Sequence, residues 1–359
     1  MSLNIKAPLN DTSIGNVSVN ILREIFKLNI DVSLFPIQNS ISLEAFDELD
    51  QDFKDWINAC YSNRLKTLNK SNPTLQIWHL NGSESKLSDK SFLYTFYELD
   101  KPTETEENLC RLHDKVFFSS FHAKKTFANK GLSNCEYIPL GFDQDIKTSN
   151  KEYLQDKTHF GLMGKLEKRK HTLRILKLWA EKYGNNPDFE LSCAITNRFI
   201  PVENLNQQIG MTLNGKHYDN INFIPFLSKN SEINDFMNAI DIDLTGLSGA
   251  EGWNLPSFNT TCLGKWSCVL NSTSHKDWAT KENSILIEPE GTEDAYDNIF
   301  FQKGSEFNQG KINTFSDKSF YKNIEDSIQK AKLKNNKGIE LKNIFSYKKS
   351  VNLILEHIM

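Results

Sequence analysis

The chain has 359 residues, which is more than one ordinary hydrophobic core holds and suits two domains of roughly 150 to 200 residues each. Its 42 lysines and arginines against 46 aspartates and glutamates leave a net charge of −4. This balance lacks the basic excess of a nucleic-acid-binding protein and argues against nucleic acid as a partner.

Cysteine usage and the apolar segments indicate the compartment. Six cysteines are scattered singly without a CxxC pair, which predicts reduced thiols, a cytoplasmic location and no metal site; they are Cys60, Cys110, Cys135, Cys193, Cys262 and Cys268. The N-terminal sequence MSLNIKAPLNDTS lacks the pattern of a signal peptide, and no apolar run approaches the roughly 18 residues that span a bilayer. We expect a soluble protein that is at most peripheral to a membrane.

The first half of the chain alternates predicted strands and helices. It opens with a strand at residues 3–8, a polar loop at 10–15, a helix to about residue 28 and a strand at 31–36. Further strands are predicted at residues 75–80, 91–96, 115–119 and 135–140, with helices at 105–112 and 121–130. This order is typical of a doubly wound α/β domain with a parallel sheet.

The polar stretch at residues 143–157 has the composition of a linker, so we place a domain boundary near residue 155. The alternation then restarts with strands at residues 159–163, 189–194, 222–224, 241–244 and 267–270 and helices at 172–183, 231–239 and from 256. An amphipathic helix is predicted at residues 347–358. The predicted domains are residues 1–155 and 156–339, and the closing segment, about 340–359, could pack back on the first domain. The lysines between Lys322 and Lys349 are expected on a solvated helical face.

The first informative motif is GKLEKRK, residues 164–170, between a predicted strand and a predicted helix. After the turn at Gly164, the cations Lys165, Arg169 and Lys170 lie close to a helix N-terminus, which suits a diphosphate. The alternative is a solvated basic turn. Ligands of parallel sheets bind at the carboxyl ends of the strands, and this position favours the binding interpretation.

The second motif is SGAEGWNLPSFN, residues 248–259, in which a strand leads into a loop of small residues and then a helix. Free backbone N–H groups from Gly252 to Leu255 could point at a phosphate. Glu251 lies among small residues, so its carboxylate is either solvated or holds a ligand hydroxyl, and composition alone favours the solvated state.

Taken in order, these two motifs resemble the C-terminal domain of the family 4, or group 1, glycosyltransferases. KWSCVLNSTSHKDWA, residues 265–279, and NSILIEP, residues 283–289, extend the resemblance. In the first half, KVFFSSFHAKKTFANKGL and EYIPLGFD are similar to the segment that closes the family's N-terminal domain. The resemblance covers roughly residues 91–290 and implies the GT-B fold, in which two Rossmann-like doubly wound domains face each other across a cleft.

The resemblance implies a donor site for a nucleotide-diphosphate sugar. Lys165 with Arg169 or Lys170 would hold the diphosphate and neutralise the leaving group, so neither a metal nor a cofactor is expected. Glu251 would contact the hydroxyls of the donor sugar. Backbone amides of the second motif would line the sugar and phosphate, namely those of Gly252, Trp253, Asn254 and Leu255.

The resemblance also implies positions for the nucleoside. The family's second glutamate, which grips the ribose, is replaced by Asn259, which could still form an uncharged hydrogen bond to a ribose hydroxyl. The nucleobase would lie near residues 224–226, which include Phe226.

On the N-terminal side, Gly15 matches the family's glycine loop and would allow the backbone to approach the sugar phosphate, although a turn-forming role explains it equally well. Many members of the family place a histidine where this sequence has Tyr97 or Glu98. Glu98 is the preferred candidate to orient an acceptor hydroxyl, and His79 is a second one. A structural role remains open for each.

The family retains anomeric configuration, and the departing phosphate is thought to take the acceptor proton. The sequence has no GxSxG or HExxH motif and no conspicuous pair of catalytic carboxylates, so catalysis would come from positioning and electrostatics. The acceptor could be a glycan, a lipid-linked molecule or a small molecule. The alternatives are a sugar-nucleotide epimerase or phosphorylase, a silent sugar-nucleotide-binding protein, and transfer onto DNA, which the acidic first half disfavours.

Overall fold

The computed structural model describes residues 2–151 and 153–358. Residues 1, 152 and 359, which fall in the predicted first domain, linker and closing segment, lie outside that range. The described residues form two parallel six-stranded sheets and one antiparallel pair of strands, with helices between the strands. The α/β class expected from the sequence is confirmed.

The first sheet contains the strands β1 (Ser2–Leu9), β2 (Asp31–Ile41), β3 (Thr74–Ile77), β4 (Ser91–Thr95), β5 (Lys115–Phe118) and β6 (Cys135–Tyr137). Its helices are α1 (Ser13–Lys27), α2 (Gln51–Thr67), α3 (Glu104–Leu112) and α4 (Phe121–Ala128). The order is β2-β1-β3-β4-β5-β6, and every pair is parallel. β3 and β4 are buried along their whole length, as in a parallel sheet covered on both faces.

The second sheet contains β7 (Thr158–Met163), β8 (Phe189–Ala194), β9 (Ile221–Phe223), β10 (Ile242–Asp243), β11 (Trp266–Leu270) and β12 (Ser284–Ile287). Its helices are α5 (Thr172–Tyr183), α6 (Val202–Thr212), α7 (Asn230–Ala239) and α8 (Leu255–Cys262). The order is β12-β11-β10-β7-β8-β9, again with parallel pairs. The direction of winding therefore reverses between β7 and β10.

A hairpin connects the two halves of the molecule. Its strands, β13 (Gly291–Asp294) and β14 (Lys311–Thr314), follow β12. Residues of the hairpin share an apolar cluster with the first sheet, including Leu80, Leu99, Ala295, Phe301 and Ile312. The N–H of Lys311 also donates to the Asp100 carboxylate at 2.9 Å.

The chain ends with α9 (Asp317–Ile328), α10 (Asn336–Ile344) and α11 (Tyr347–Ile358). The last of these confirms the helix predicted at residues 347–358, and it packs against α1 of the first half. Just before it, the Phe345 carbonyl accepts from the N–H of Phe142 at 3.1 Å, so the two chain crossings between the sheets run side by side. The domain boundary near residue 155 lies between β6 and β7 and stays a prediction.

Some elements were not predicted from the sequence. α2 buries only Phe53, Ile57 and Cys60, and α6 only Leu205, so their apolar periodicity is weak. The hairpin could not be predicted from its sequence for a similar reason, because β13 is exposed along its whole length. The strand predicted at residues 75–80 ends early, at residue 77. Within residues 2–151 and 153–358, no helix is both long and apolar enough to cross a bilayer.

Candidate functional site

The two sequence motifs lie side by side where the winding of the second sheet reverses. β7 continues into residues 164–170, and its neighbour β10 continues into residues 244–254. Ligands of doubly wound sheets bind at the carboxyl ends of such strands. Gly164 has a φ of 122°, which favours glycine and turns the chain out of the strand. Both motifs therefore lie at the edge of the sheet where the sequence placed them.

Glu251 is the centre of a buried group of charges. It is 5% exposed, and its carboxylate lies 2.9 Å from Arg169 Nη1 and 2.6 Å from Lys170 Nζ. Arg169 also contacts the Glu167 carboxylate at 3.1 Å and donates to the Ala250 carbonyl. The solvated state that composition favoured for Glu251 is wrong. We call Glu167, Arg169, Lys170 and Glu251 the Glu251 cluster.

The Glu251 cluster keeps its charges. Burial alone would raise the pKa of the Glu251 carboxyl, but Arg169 and then Lys170 outweigh it and hold the pKa well below its usual range. Burial opposes the charge of Arg169 as well, yet Glu251 and Glu167 raise the pKa of its guanidinium. Arg169 is only 7% exposed and is paired with both Glu167 and Glu251, so its guanidinium is less open to a ligand than the Lys165 ammonium. The diphosphate contact expected of Arg169 or Lys170 stays a prediction.

Lys165 differs from Arg169 and Lys170 because it is exposed. Its Nζ lies 4.9 Å from the ring centroid of Phe199 and 5.3 Å from that of Phe300. Its pKa is lowered, chiefly by its low-polarity surroundings, with Glu167 opposing and Lys170 adding to the shift. Lys165 has no salt-bridge partner in the described part of the chain, so its charge is available to an anionic ligand.

The amide groups of residues 252–255 are also available. The carbonyls of this segment point to other partners, because Gly252 accepts from Ser119 Oγ at 2.8 Å and Trp253 accepts from Trp278 Nε1 at 3.2 Å. Across residues 2–151 and 153–358, no hydrogen bond uses the N–H of residues 252–255 as its donor. Consecutive free N–H groups that lead into the first turn of α8 suit an anion.

Several side chains of the second motif serve the core. Trp253 is 2% exposed and packs against Phe258, with ring centroids 5.3 Å apart, and Leu255 is half-buried against the same core. Asn259 is also buried, and its Oδ1 accepts from the N–H of Asp143 at 3.3 Å. Trp253 and Leu255 can therefore reach a ligand through their backbone. The Asn259 side chain contacts the linker through Oδ1, and the ribose contact expected for it stays a prediction.

His79 and Glu98 follow β3 and β4, which are neighbours in the first sheet. His79 is exposed, but its low-polarity surroundings lower its pKa, while the charge of Glu98 raises it and the charge of Lys165 lowers it. The charge of Glu98 also raises the pKa of Lys165. We call His79, Glu98 and Lys165 the cleft group, since their charges act on each other from the two sides of the cleft. Among the described residues, no hydrogen-bond partner is found for any of these three side chains.

Tyr97 and Gly15, the two other candidates from the first domain, have contacts that indicate structural roles. Tyr97 is 2% exposed, and its hydroxyl donates to Glu106 Oε2 at 3.2 Å, which argues against contact with an acceptor. At Gly15, an added Cβ would lie 2.2 Å from the Asn10 carbonyl oxygen, so glycine lets the loop close over the start of α1. This close approach supports the turn-forming role of Gly15.

Phe226 lies on a large groove that sequence reasoning did not reveal. The groove has a volume of about 1100 Å³ and runs beneath α6, with Ile195, Leu205 and Phe223 among its apolar walls. Arg198 was missed as well, because a lone arginine after a strand gives no signal. Its guanidinium stacks on the Phe226 ring at 3.8 Å and forms a bidentate ion pair with Asp11 of the first half.

No protein-family model and no curated protein matches the chain. Solved structures match it over its whole length. Anabaena HepE in complex with UDP and glucose aligns with a TM-score of 0.66 at 14% identity, covering 100% of this chain and 99% of that chain. Sucrose-phosphate synthase from Thermosynechococcus elongatus aligns with a TM-score of 0.66 at 12% identity, covering 100% of this chain and 98% of that one.

A third structure, the lipopolysaccharide outer core galactosyltransferase WaaB, gives a TM-score of 0.60 at 13% identity and covers 99% of this chain and 100% of that one. These alignments span both sheets and the segments between them. Within residues 2–151 and 153–358, no group of three histidine, cysteine, aspartate or glutamate side chains could hold a metal ion. The chain has the GT-B fold, with two Rossmann-like halves that face each other across a cleft.

Proposed function

We propose that this protein transfers a sugar from a nucleotide-diphosphate donor to an acceptor hydroxyl. One observation carries the proposal: the free N–H groups of residues 252–255 lie on the same edge of the second sheet as the exposed Lys165. Amide dipoles and a cation at one edge provide two kinds of stabilisation for the charge that develops on a leaving diphosphate. The HepE complexes with UDP and with UDP-glucose support the same choice of donor.

The three cations expected at the diphosphate, Lys165, Arg169 and Lys170, take different roles in this proposal. Lys165 binds the diphosphate directly, because its charge has no protein partner in the described residues. Lys170 is 15% exposed at its side chain and is shared between Glu251 and the ligand. Arg169 acts through Glu251, whose ionised carboxylate accepts hydrogen bonds from the hydroxyls of the donor sugar.

The groove beneath α6 receives the nucleobase at its Phe226 end. The aromatic ring of Phe226 provides an apolar surface for the base, and the guanidinium of Arg198 stacks on the same ring. At about 1100 Å³ the groove reaches the upper end of small-ligand pockets, roughly 300–1,000 Å³, so a base occupies only part of it.

The reaction proceeds with retention of configuration and without a metal. The bond from the anomeric carbon to the phosphate oxygen breaks, the acceptor oxygen bonds to the same face of that carbon, and the departing phosphate takes the acceptor proton. Glu98 orients the acceptor hydroxyl, since it is only partly buried in the cleft and its charge acts on Lys165 and His79. The acceptor is a glycan, a lipid-linked molecule or a small molecule, and the six free buried cysteines support a cytoplasmic location.

Calorimetric titration without metal tests the donor site. The wild-type protein is titrated with UDP, GDP and ADP, followed by Lys165→Ala and by the matched control Lys177→Ala, whose lysine lies on α5 beside Glu181. We expect saturable binding of one nucleotide, weakened by Lys165→Ala and unchanged by Lys177→Ala. Absence of binding by all three would refute the proposal. If the nucleotide-sugar donor were consumed without an acceptor, an epimerase or phosphorylase would be indicated. If the nucleotide-sugar donor were never consumed, a silent binding protein would be indicated.

A further inference from the structure

We propose that Thr273 and His275 are positioning residues that hold the segment 251–254 in its anion-binding conformation. The proposal rests on the proposed function, because the ligand of that segment is the donor diphosphate. Both residues belong to the loop that follows β11, and neither is one of the donor-site residues predicted from the sequence.

Thr273 fixes the beginning of the segment. Its Oγ1 accepts from the N–H of Glu251 at 3.1 Å, and the residue is 8% exposed. It has a φ of 46°, a left-handed conformation that is strained for a side chain branched at Cβ. Strain of this kind persists only where the surrounding structure over-determines it, and it is concentrated at functional sites.

His275 fixes the end of the segment. It is fully buried, and its two ring nitrogens lie 2.8 Å from the Leu270 carbonyl and 3.0 Å from Asn254 Nδ2. A carbonyl can only accept, so Nδ1 carries the proton and Nε2 accepts from Asn254. Asn254 also donates to the Thr245 carbonyl at 3.0 Å and is left-handed, with a φ of 68°.

The two contacts act together on the amide groups. Glu251 and Asn254 are held at either end, and Trp278 of the same loop donates to the Trp253 carbonyl between them at 3.2 Å. The loop after β11 therefore accepts from the N–H of Glu251, which precedes residues 252–255, and donates to the Trp253 carbonyl within them. This leaves the N–H groups of residues 252–255 without a protein acceptor among the described residues. The segment is then preorganised for an anion, which reduces the entropy lost on binding.

Four variants test the proposal by calorimetry with the nucleoside diphosphate that the wild-type protein binds. His275→Phe removes the acceptor for Asn254, and Thr273→Val removes the acceptor for Glu251 at nearly constant shape. We expect each to weaken binding about tenfold, the usual consequence of one lost buried hydrogen bond. His275→Gln and Thr273→Ser keep an acceptor and are expected to restore most of the affinity.

His113→Phe is the matched control for a general loss of stability. His113 is also buried, with Nδ1 2.8 Å from Ser91 Oγ, but it lies in the first half away from the donor motifs. It should lower the melting temperature as His275→Phe does and leave nucleotide affinity unchanged. Wild-type affinity in both His275→Phe and Thr273→Val would overturn the positioning roles and leave the proposed function standing. If the wild-type protein binds no nucleotide, both proposals fall together.

A further variant separates positioning from simple stabilisation. Thr273→Gly removes the side-chain acceptor but also relieves the left-handed strain. We expect it to weaken nucleotide binding while it does not lower the melting temperature. Unchanged affinity in this variant would contradict the role of Thr273.

Discussion

The Glu251 cluster and the cleft group contain similar side chains in opposite states. In the Glu251 cluster every charge has an oppositely charged partner, with contacts of 2.6 to 3.1 Å. In the cleft group, Lys165 and His79 are exposed, and the members act on each other only through their electrostatic fields. The charges of the first region are therefore already paired within the protein before a ligand binds, whereas those of the second region remain open to a ligand.

The largest effect is expected from breaking the Glu251 cluster. Glu251→Gln leaves the buried Arg169 and the half-buried Lys170 with less negative charge, and removal of one partner from such a buried group costs about 3–5 kcal/mol. We therefore expect a fall of that order in the free energy of unfolding, measured with urea. The control Glu340→Gln alters an exposed pair with Lys337 and should leave stability nearly unchanged. An equal, small effect in both variants would contradict the distinction between the two regions.

Removing the free cation should have the converse effect. Lys165→Ala takes away no salt bridge of the described residues, so we expect stability to change by less than about 0.5 kcal/mol. Affinity for the nucleoside diphosphate should fall by about 1.5–3 kcal/mol, the range for hydrogen bonds to charged groups. Calorimetry and urea unfolding on one preparation measure both quantities. A stability loss without a loss of affinity would place Lys165 among the structural cations.

The buried region should also respond to acid. Burial lowers the pKa of His275 from its ordinary 6.5 to about 4. Between these two pH values the imidazole is protonated in the unfolded chain and neutral in the folded protein. Stability from this residue is complete above pH 6.5 and is lost as the pH falls toward 4. Between pH 7 and pH 5 the wild-type protein should lose about 2 kcal/mol more than His275→Gln. Parallel pH curves for the two proteins would show that His275 is not held neutral.

The smallest effect is expected from Glu98, and it should have opposite signs in two assays. Glu98→Gln removes a negative charge that acts on Lys165, so binding of the nucleoside diphosphate should tighten by about 0.2–1 kcal/mol. Acceptor-dependent turnover should fall, because the group that orients the hydroxyl is weakened. Unchanged turnover would remove Glu98 from the acceptor side.

Much of the fold follows from local pattern. Buried strands and the helix α11 were predicted within a few residues, because their apolar periodicity is strong. α6 and the hairpin β13–β14 were not predicted, because their exposed residues make the segments similar to loops. Their packing depends on partners that are distant along the chain.

The same limit applies to the candidate site. The resemblance implied one donor site for Lys165 and Glu251, but the sequence could not separate an exposed lysine from a buried arginine four residues later. That difference arises because Glu167 and Glu251 enclose Arg169 from two directions. The buried hydrogen bond of the Asn259 side chain depends in the same way on the linker, whose Asp143 N–H is the donor. The roles proposed for Thr273 and His275 depend on contacts between the loop after β11 and the second motif, which the sequence does not predict.

Hydrogen exchange at the amides of residues 252–255 tests the central claim most directly. The wild-type protein is compared with and without the nucleoside diphosphate that it binds, and exchange is followed in peptides that cover this segment. These N–H groups have no protein acceptor among the described residues, so their exchange should be clearly slower in the complex than in the free protein. Protection confined to other parts of the chain, with residues 252–255 unchanged, would contradict a diphosphate site at the start of α8.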